Sequence, residues 1–369
     1  MKKGKSLVEL ATELQRIQET KKDFIVPTSK LEAKIVTKAD GADDIAIGFA
    51  NGKEHNFEIT NFAAGQVASY ADVPKAYFDR LRAQNPTLLA ENVNHGLGIA
   101  AQARPDGKPD GRLVRTLDGK VRGFLSSRYR MLDAHDLLET TLPILLDNRF
   151  EVVSSEITDR RLYLKTTSAR VQTEIKKGDV VQYGVVISTS DVGAGSLRIE
   201  PYITRLVCDN GMIRESTFKK AHLGSSQMER DVQELMSDKT RELNDAAFFA
   251  TVRDYLIGTM RPENFEREVN RMREAAELAI TNVGDLERVV EISMERVGVK
   301  GEGVRKGILS ALATGNEGAG LTKWGLANSF TRAAQAEELD YDTATELERA
   351  GGLILDLTAA DWKRVNAVA

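Results

Sequence analysis

Apolar residues near the start of the chain recur every three or four positions, which places them on one face of an α-helix. The repeating positions are Leu7, Leu10, Ala11, Leu14 and Ile17. This pattern predicts an amphipathic helix over residues 6–19, with Ser6 as its N-cap. Residues 24–35 show little periodicity and contain Pro27, so we expect an extended arm after the helix.

Short apolar runs alternate with turn residues through the middle of the chain, which is typical of β-hairpins. The dipeptides Asn51-Gly52 and Asp118-Gly119 mark two of the turns. These runs predict four hairpins: 45–50 with 54–59, 113–116 with 121–125, 150–157 with 161–167, and 180–190 with 197–207.

Helical periodicity occupies most of the remaining chain. Helices are predicted after Asp72, from Pro86 and after Asp133. Pro143 lies inside the third of these helices and is expected to kink or split it. From about Gln227 the pattern is helical to the end of the chain.

These elements predict an α+β fold with a central antiparallel, basic-faced β-sheet of hairpins, packed helices and a C-terminal helical region. The length of 369 residues favours two or three domains. A run rich in proline and glycine at 104–113 predicts a loop. We divide the chain into three parts: an N-terminal helix and arm (1–44), an α+β core domain with the basic sheet (45–225) and a helical region (226–369).

Charge is distributed unevenly around the formal net value of −4. Residues 104–222 contain 20 Lys and Arg against 16 Asp and Glu, whereas residues 223–369 contain 18 against 26. A basic region favours a polyanionic partner, because neutralising phosphates releases condensed counterions. The acidic last third suits solubility or contact with basic surfaces. A solvated surface of mixed charge is the alternative interpretation.

Composition excludes several kinds of site. The single cysteine, Cys208, excludes an internal disulfide framework and a cysteine-cluster metal site. The four histidines are scattered and match no histidine-rich metal motif. No apolar run reaches the roughly 18–20 residues of a membrane span, and the first residues do not read as a signal peptide. We therefore expect a cytoplasmic protein with no membrane partner, no metal and no cofactor.

No segment carries a complete catalytic signature. The glycine-rich residues 298–303 lack the GxxxxGK[ST] pattern of a phosphate-binding loop and fit a turn between two helices. His135 with Asp136 or Glu139 has the composition of an acid–base pair, although a histidine beside a helix cap is more often structural. Cys208 ends an apolar strand and is interpreted as a buried small side chain. We expect no catalytic residue and a non-enzymatic function.

Basic and aromatic side chains alternate along two predicted strands. Arg128 and Arg130 flank Tyr129 in one, and the run RRLYLKT at 160–166 alternates in the same way. Alternate residues of a strand share a face, so both runs predict a basic outer face. Guanidinium groups beside aromatic rings suit phosphate contact and base stacking, whereas ordinary solubilising charge is the equal alternative. The predicted nucleic-acid-binding residues are Arg115, Lys120, Arg122, Arg128, Tyr129, Arg130, Arg160, Arg161, Tyr163, Lys165, Arg205, Arg214, Lys219 and Lys220.

Four stretches of the chain resemble the domain of unknown function 932 family, a group of phage- and plasmid-associated proteins. They are LAENVNHGL (89–97), VRGFLSSRYRMLD (121–133), IEPYITRLVCDNGMI (199–213) and the run from LTKWGLANSFTRAAQ to GGLIL (321–355). The resemblance spans roughly residues 45–357. It implies a bacterial host cell and a relation to single-strand annealing proteins, which have a basic sheet backed by helices and assemble into oligomers. It supplies no functional residues to transfer.

Three hypotheses follow for the function. The first is a non-enzymatic protein that binds single-stranded DNA in a basic groove, forms homo-oligomers and promotes annealing in recombination or replication. The alternative is a phage or plasmid interaction factor for host takeover or anti-defence, acting through the acidic helical third. The third is a metal-dependent nuclease whose carboxylates converge only in the folded chain.

Overall fold

A computed structural model of the chain describes residues 1–102, 110–130, 132–215, 219–220, 238–315 and 318–367. Across these residues the chain folds into two β-sheets and twelve α-helices, which confirms the predicted α+β class. Most of the loop predicted at 104–113 lies outside the described residues.

The first sheet contains six strands: β1 (Lys22–Pro27), β2 (Glu32–Thr37), β3 (Asp43–Asn51), β4 (Lys53–Ile59), β5 (Gly111–Leu117) and β6 (Lys120–Ser126). Their spatial order is β1-β5-β6-β4-β3-β2, and only the β4–β6 pair is parallel. The predicted hairpins β3–β4 and β5–β6 are confirmed. Residues 24–35 are largely extended, as predicted, but they do not form a separate arm, because β1 and β2 pair with β5 and β3 and form the two edges of the sheet. Pro27 is tolerated at the end of an edge strand.

The second sheet contains the remaining strands: β7 (Glu151–Ile157), β8 (Leu162–Glu174), β9 (Val180–Thr189), β10 (Leu197–Arg205), β11 (Asn210–Ile213) and β12 (Lys219–Lys220). Strands β7 to β11 lie side by side in chain order and are antiparallel, while β12 pairs with β10. The other two predicted hairpins are therefore confirmed. The hairpins form two sheets where the sequence predicted one, because turn signals specify neighbouring strands and not the pairing of distant ones.

The helices in chain order are α1 (Leu7–Thr20), α2 (Asn61–Tyr70), α3 (Lys75–Gln84), α4 (Pro86–Gln102), α5 (Ala134–Asp147), α6 (Asp238–Thr259), α7 (Pro262–Glu277), α8 (Leu286–Val297), α9 (Glu302–Ala313), α10 (Lys323–Ala333), α11 (Tyr341–Leu355) and α12 (Ala359–Val365). The predicted N-cap of α1 is confirmed: Ser6 and Glu9 form a capping box in which each side chain accepts the other's backbone N–H. Pro143 lies inside α5 and does not split it.

Each sheet has its own hydrophobic core. The first core packs one face of the first sheet against α2, α3 and α4, around Ile45, Phe78 and Val93. The second core packs the second sheet against α1, α5 and the C-terminal helices, and it includes Leu10 and Ile187. This second core contains residues from all three predicted parts of the chain (1–44, 45–225 and 226–369). The boundaries between those parts stay a prediction.

The second sheet is buried on its other face as well. There α11 covers β8 and β10, and the Lys165 ammonium donates to the Glu348 carboxylate at 2.6 Å with both side chains fully buried. Arg349 and Glu200 form a second buried ion pair at 2.7 Å. The basic outer face predicted for the strand at 160–166 is therefore wrong, because α11, which carries both acidic and basic side chains, covers that face.

The two sheets meet at a buried ionic cluster around Arg115, which lies on β5. Its guanidinium donates to Asp23 on β1 at 2.8 and 2.9 Å, and to Asp133 before α5 at 2.7 Å. It also donates to the carbonyl of Asp191, in the loop after β9, at 2.7 Å. Lys21 is a second partner of Asp133. One fully buried side chain thus joins the first sheet, α5 and the second sheet.

Removing one member of the Lys165–Glu348 pair is expected to cost about 3–5 kcal/mol of unfolding free energy, because the remaining charge stays buried and unpaired. We expect Lys165→Met to show this loss in urea denaturation. The double variant Lys165→Met/Glu348→Leu removes both charges and should recover most of the stability. Equal losses in the single and the double variant would contradict this coupling.

Asp133 is expected to make the stability of the fold depend on pH. Burial raises the pKa of its carboxyl, but the neighbouring Arg115 and Lys21 outweigh burial and lower the pKa from 3.8 to about 2. The resulting stability is present above about pH 4 and is lost as the pH falls towards 2, because the unfolded chain takes up the proton first.

We therefore expect Asp133→Asn to lower the unfolding free energy by about 2 kcal/mol near neutral pH, with the difference shrinking below about pH 4. Denaturation curves of both proteins between about pH 3 and 7 measure this. A difference that does not change with pH would assign the loss to packing or helix capping instead.

Candidate nucleic-acid interface

Six of the fourteen predicted nucleic-acid-binding residues are buried: Arg115, Arg161, Tyr163, Lys165, Arg205 and Arg214. Their polar groups bind other parts of the same chain. The Tyr163 hydroxyl, for example, donates to Asp342 at 2.8 Å, and the Arg205 guanidinium donates to Asp179 at 2.5 Å. The prediction that these six residues share an accessible basic face is wrong, because other parts of the chain cover them.

Three other predicted residues, Arg128, Tyr129 and Arg160, line one open groove between the two sheets. The groove has a volume of about 740 Å³, and we name it the basic groove. Its cationic and aromatic lining residues are Lys75, Arg112, Arg128 and Arg160, with Phe62, Tyr70, Phe124 and Tyr129. In the part of the chain that the structure describes, no Asp or Glu lines the groove.

Helix α2 forms one wall of the basic groove. Thr60 caps the helix by accepting the Ala63 N–H at 3.2 Å, and a stripe of alanines and Val67 faces the first core. Phe62, Gln66 and Tyr70 follow one another at intervals of four and therefore share the face towards the groove. Sequence reasoning missed these residues, although their spacing opposite the alanine stripe was a usable signal.

Arg112 links this wall to the first sheet. Its guanidinium lies 4.0 Å from the centre of the Tyr70 ring and 5.0 Å from that of Phe124, which is cation–π geometry. It also donates to the Phe124 carbonyl at 3.1 Å. Burial lowers the pKa of Arg112, because the desolvated positive charge is only partly compensated.

The glycine-rich loop after β9 fixes the opposite end of the basic groove. Ser190 organises it: its hydroxyl accepts the Ala194 N–H at 2.8 Å and donates to the Arg160 carbonyl at 2.7 Å. The Tyr129 hydroxyl donates to the Ser190 carbonyl at 2.9 Å, and burial raises the pKa of Tyr129, so it remains a donor. These bonds fix Tyr129 and Arg160 relative to each other.

Two further contacts tie this loop to α2. Gln66 donates to the Val192 carbonyl at 2.7 Å and accepts the Phe124 N–H at 2.7 Å. Gly193 has a φ of +79°, and a Cβ there would lie 2.7 Å from Leu125 Cδ2. The loop therefore needs glycine at this position to approach β6 closely.

The remaining predicted residues lie outside the basic groove. Lys120 is exposed and pairs with Glu58 at 3.1 Å, and Arg130 donates to Asp245 at 2.9 Å. Arg122 lines a separate cavity behind the glycine-rich loop. The two lysines of β12 pair with β10 through their backbone, and their side chains lie outside the described residues.

The other chemical candidates take ordinary structural positions. His135 lies 3.4 Å from Asp136 and 3.7 Å from Glu139 on α5, and both carboxylates are exposed. Such groups are common on helix surfaces and do not by themselves define a metal or acid–base site. Cys208 is buried, as predicted. The segment 298–303 contains a turn between α8 and α9, as predicted.

Across the described residues, no helix has both the length and the apolar character needed to cross a membrane. No curated protein and no solved structure matches the chain. A family profile described as "Domain of unknown function (DUF932)" matches residues 121–350, from β6 into α11, and includes Arg128, Tyr129 and Arg160 of the basic groove. Because this match covers more than half of the chain, the protein belongs to the DUF932 family.

Proposed function

We propose that the protein binds single-stranded DNA in the basic groove and acts without catalysis, as a phage- or plasmid-type annealing protein in recombination or replication. The observation that supports this most directly is the presence of four cationic and four aromatic side chains in one open groove. Cationic side chains attract the phosphate backbone, and aromatic faces stack against bases. The groove offers both interactions that a single strand requires.

The arrangement favours a single strand over a duplex. The rings of Phe62, Tyr70 and Tyr129 are partly exposed, and a base must leave the duplex stack to lie against them. The contacts that ammonium and guanidinium groups make with phosphates carry no sequence information. A strand held in this way keeps its pairing edges available, which is the condition for annealing to a complement.

Assembly into a homo-oligomer is part of this proposal, because annealing along a strand requires several grooves in succession. Helices α10 and α11 are largely buried within their own chain, against α7 and the second sheet. Assembly would therefore use other surfaces than these two helices. The same packing gives less support to the alternative function, in which the acidic last third works as an interaction surface of its own.

Neutralising two cationic residues of the basic groove is expected to lower the affinity for single strands. It should also make that affinity less dependent on salt concentration. In single-strand binding each phosphate contact contributes about 0.7 to the slope of log K against log salt, so Arg128→Ala/Arg160→Ala should lower its magnitude by about 1.4. Fluorescence anisotropy of a labelled oligonucleotide, from about 50 to 300 mM salt, measures both effects.

The matched control is Lys306→Ala/Arg364→Ala, which makes the same change in net charge at two exposed positions on α9 and α12. We expect this control to bind like the unaltered protein. Equal effects of both double variants would assign binding to overall charge, and the absence of binding at low salt would overturn the proposal.

Replacing one aromatic residue should change affinity without changing the salt slope. Phe62→Leu keeps an apolar side chain and removes the stacking face, which we expect to weaken binding roughly 5- to 100-fold. The same anisotropy titration measures the affinity and the slope, and thermal melting verifies the fold. Unchanged affinity would show that bases do not stack at this wall of the groove.

A further inference from the structure

A small cavity lies behind the glycine-rich loop, next to the basic groove. Arg160 lines both spaces, while Val192 lines the cavity and its neighbour Gly193 lines the groove. The cavity has a volume of about 30 Å³. We name it the arginine cavity, after its cationic lining residues Lys21, Arg122, Arg160 and Arg161.

Two of these arginines have buried donors without a partner. The Nε and Nη2 atoms of Arg122 and the Nε atom of Arg161 reach no acceptor within the described chain. Arg161 is only 8% exposed, and the Arg122 side chain is 11% exposed. Buried donors without acceptors are costly, so these three atoms favour a ligand that accepts hydrogen bonds.

The positive charge of the arginine cavity exceeds its negative charge. The Asp133 carboxylate is already bound by Arg115 and Lys21. Asp191 accepts the N–H at the start of α5 and forms a long ion pair with Arg122 at 3.5 Å. Burial lowers the pKa of Arg122, as expected for a guanidinium whose charge is incompletely compensated.

Arg160 and Arg161 add to this excess. In the described ranges, no carboxylate lies within ion-pair distance of either residue, although Asp159 also lines the cavity. Their backbone N–H groups donate to Thr158 Oγ1 at 3.2 and 3.1 Å, which fixes the turn between β7 and β8.

The glycine-rich loop is shaped to hold the Arg161 guanidinium. Arg161 Nη2 donates to the Ser196 carbonyl at 2.9 Å. Gly195 lies directly against it with a φ of +150°, and a Cβ at this position would be 2.4 Å from Nη2. A side chain at Gly195 would therefore displace the guanidinium from the cavity.

We infer that the arginine cavity binds a phosphate group, and, resting on the proposed function, that this is the terminal phosphate of a strand lying in the basic groove. Guanidinium groups present planar pairs of N–H donors that match phosphate oxygens. The cavity's volume of about 30 Å³ suits a compact oxyanion better than a base or a sugar. Arg160 lines both the cavity and the groove, so the two spaces are neighbours. Free inorganic phosphate has the same chemistry and is the second source of the group.

The test compares four probes on the full-length chain at equal ionic strength: inorganic phosphate, and one oligonucleotide sequence with a 5′-phosphate, a 3′-phosphate or no terminal phosphate. We expect one phosphorylated end to bind about tenfold more tightly than the unphosphorylated strand. Inorganic phosphate should raise the melting temperature and compete away this advantage. Arg122→Gln should abolish both effects and leave binding of the unphosphorylated strand within about twofold.

Gly195→Ala provides a second variant that displaces Arg161 without changing the charge, in case Arg122→Gln does not fold. Lys306→Gln is the control with an equal loss of charge away from the cavity. Equal binding of all three oligonucleotides without stabilisation by phosphate would overturn the inference and leave the groove proposal standing. A third outcome is that phosphate stabilises the protein, only the cavity variants lose this stabilisation, and no oligonucleotide binds. That outcome would support the phosphate site in the cavity and overturn the groove proposal.

Discussion

The Arg115 cluster is the interaction on which the rest of the structure depends. A fully buried guanidinium is costly unless acceptors surround it, and the acceptors of Arg115 come from β1, the start of α5 and the loop after β9. The two sheets therefore have one relative position in which this charge is satisfied. The basic groove crosses the same junction, with α2 and β6 on one side and Arg160 and Gly193 on the other. The shape of the groove therefore depends on the hydrogen bonds and ion pairs of Arg115.

The elements that the sequence predicted well are those decided within a few residues. The cap of α1 depends on Ser6 and Glu9, three positions apart. The β5–β6 turn depends on Asp118 and Gly119, which both have positive φ values of 50° and 76°. Such local chemistry is visible in the chain because its partners are neighbours. Strand β1 escaped prediction because its partner, β5, lies far away in sequence, whereas β2 pairs with the next strand, β3, and was missed because residues 24–35 show little periodicity.

Burial of charge could not be predicted in this way. The alternation in β8 correctly separates two faces, but the partner of Lys165 is Glu348, 183 residues later. An exposed basic face of a strand and a basic face covered by a helix with acidic residues show the same alternation in the sequence. Part of the candidate site was nevertheless predictable: Arg128, Tyr129 and Arg160 remain in the basic groove, whereas Phe62 and Tyr70 join it from α2, a helix that was not predicted.

The loop after β9 is a wall shared by two spaces. Its backbone is held by Ser190, and it presents Val192 to the arginine cavity and Gly193 to the basic groove. Any ligand that shifts or stiffens this loop from one side changes the shape offered on the other. Thermodynamic linkage then requires the effect to be reciprocal. A ligand in the cavity would change the affinity of the groove for its own ligand, and a ligand in the groove would change the affinity of the cavity by the same factor. If the groove binds a strand as proposed, this linkage would make the affinity for the end of a strand differ from that for its interior.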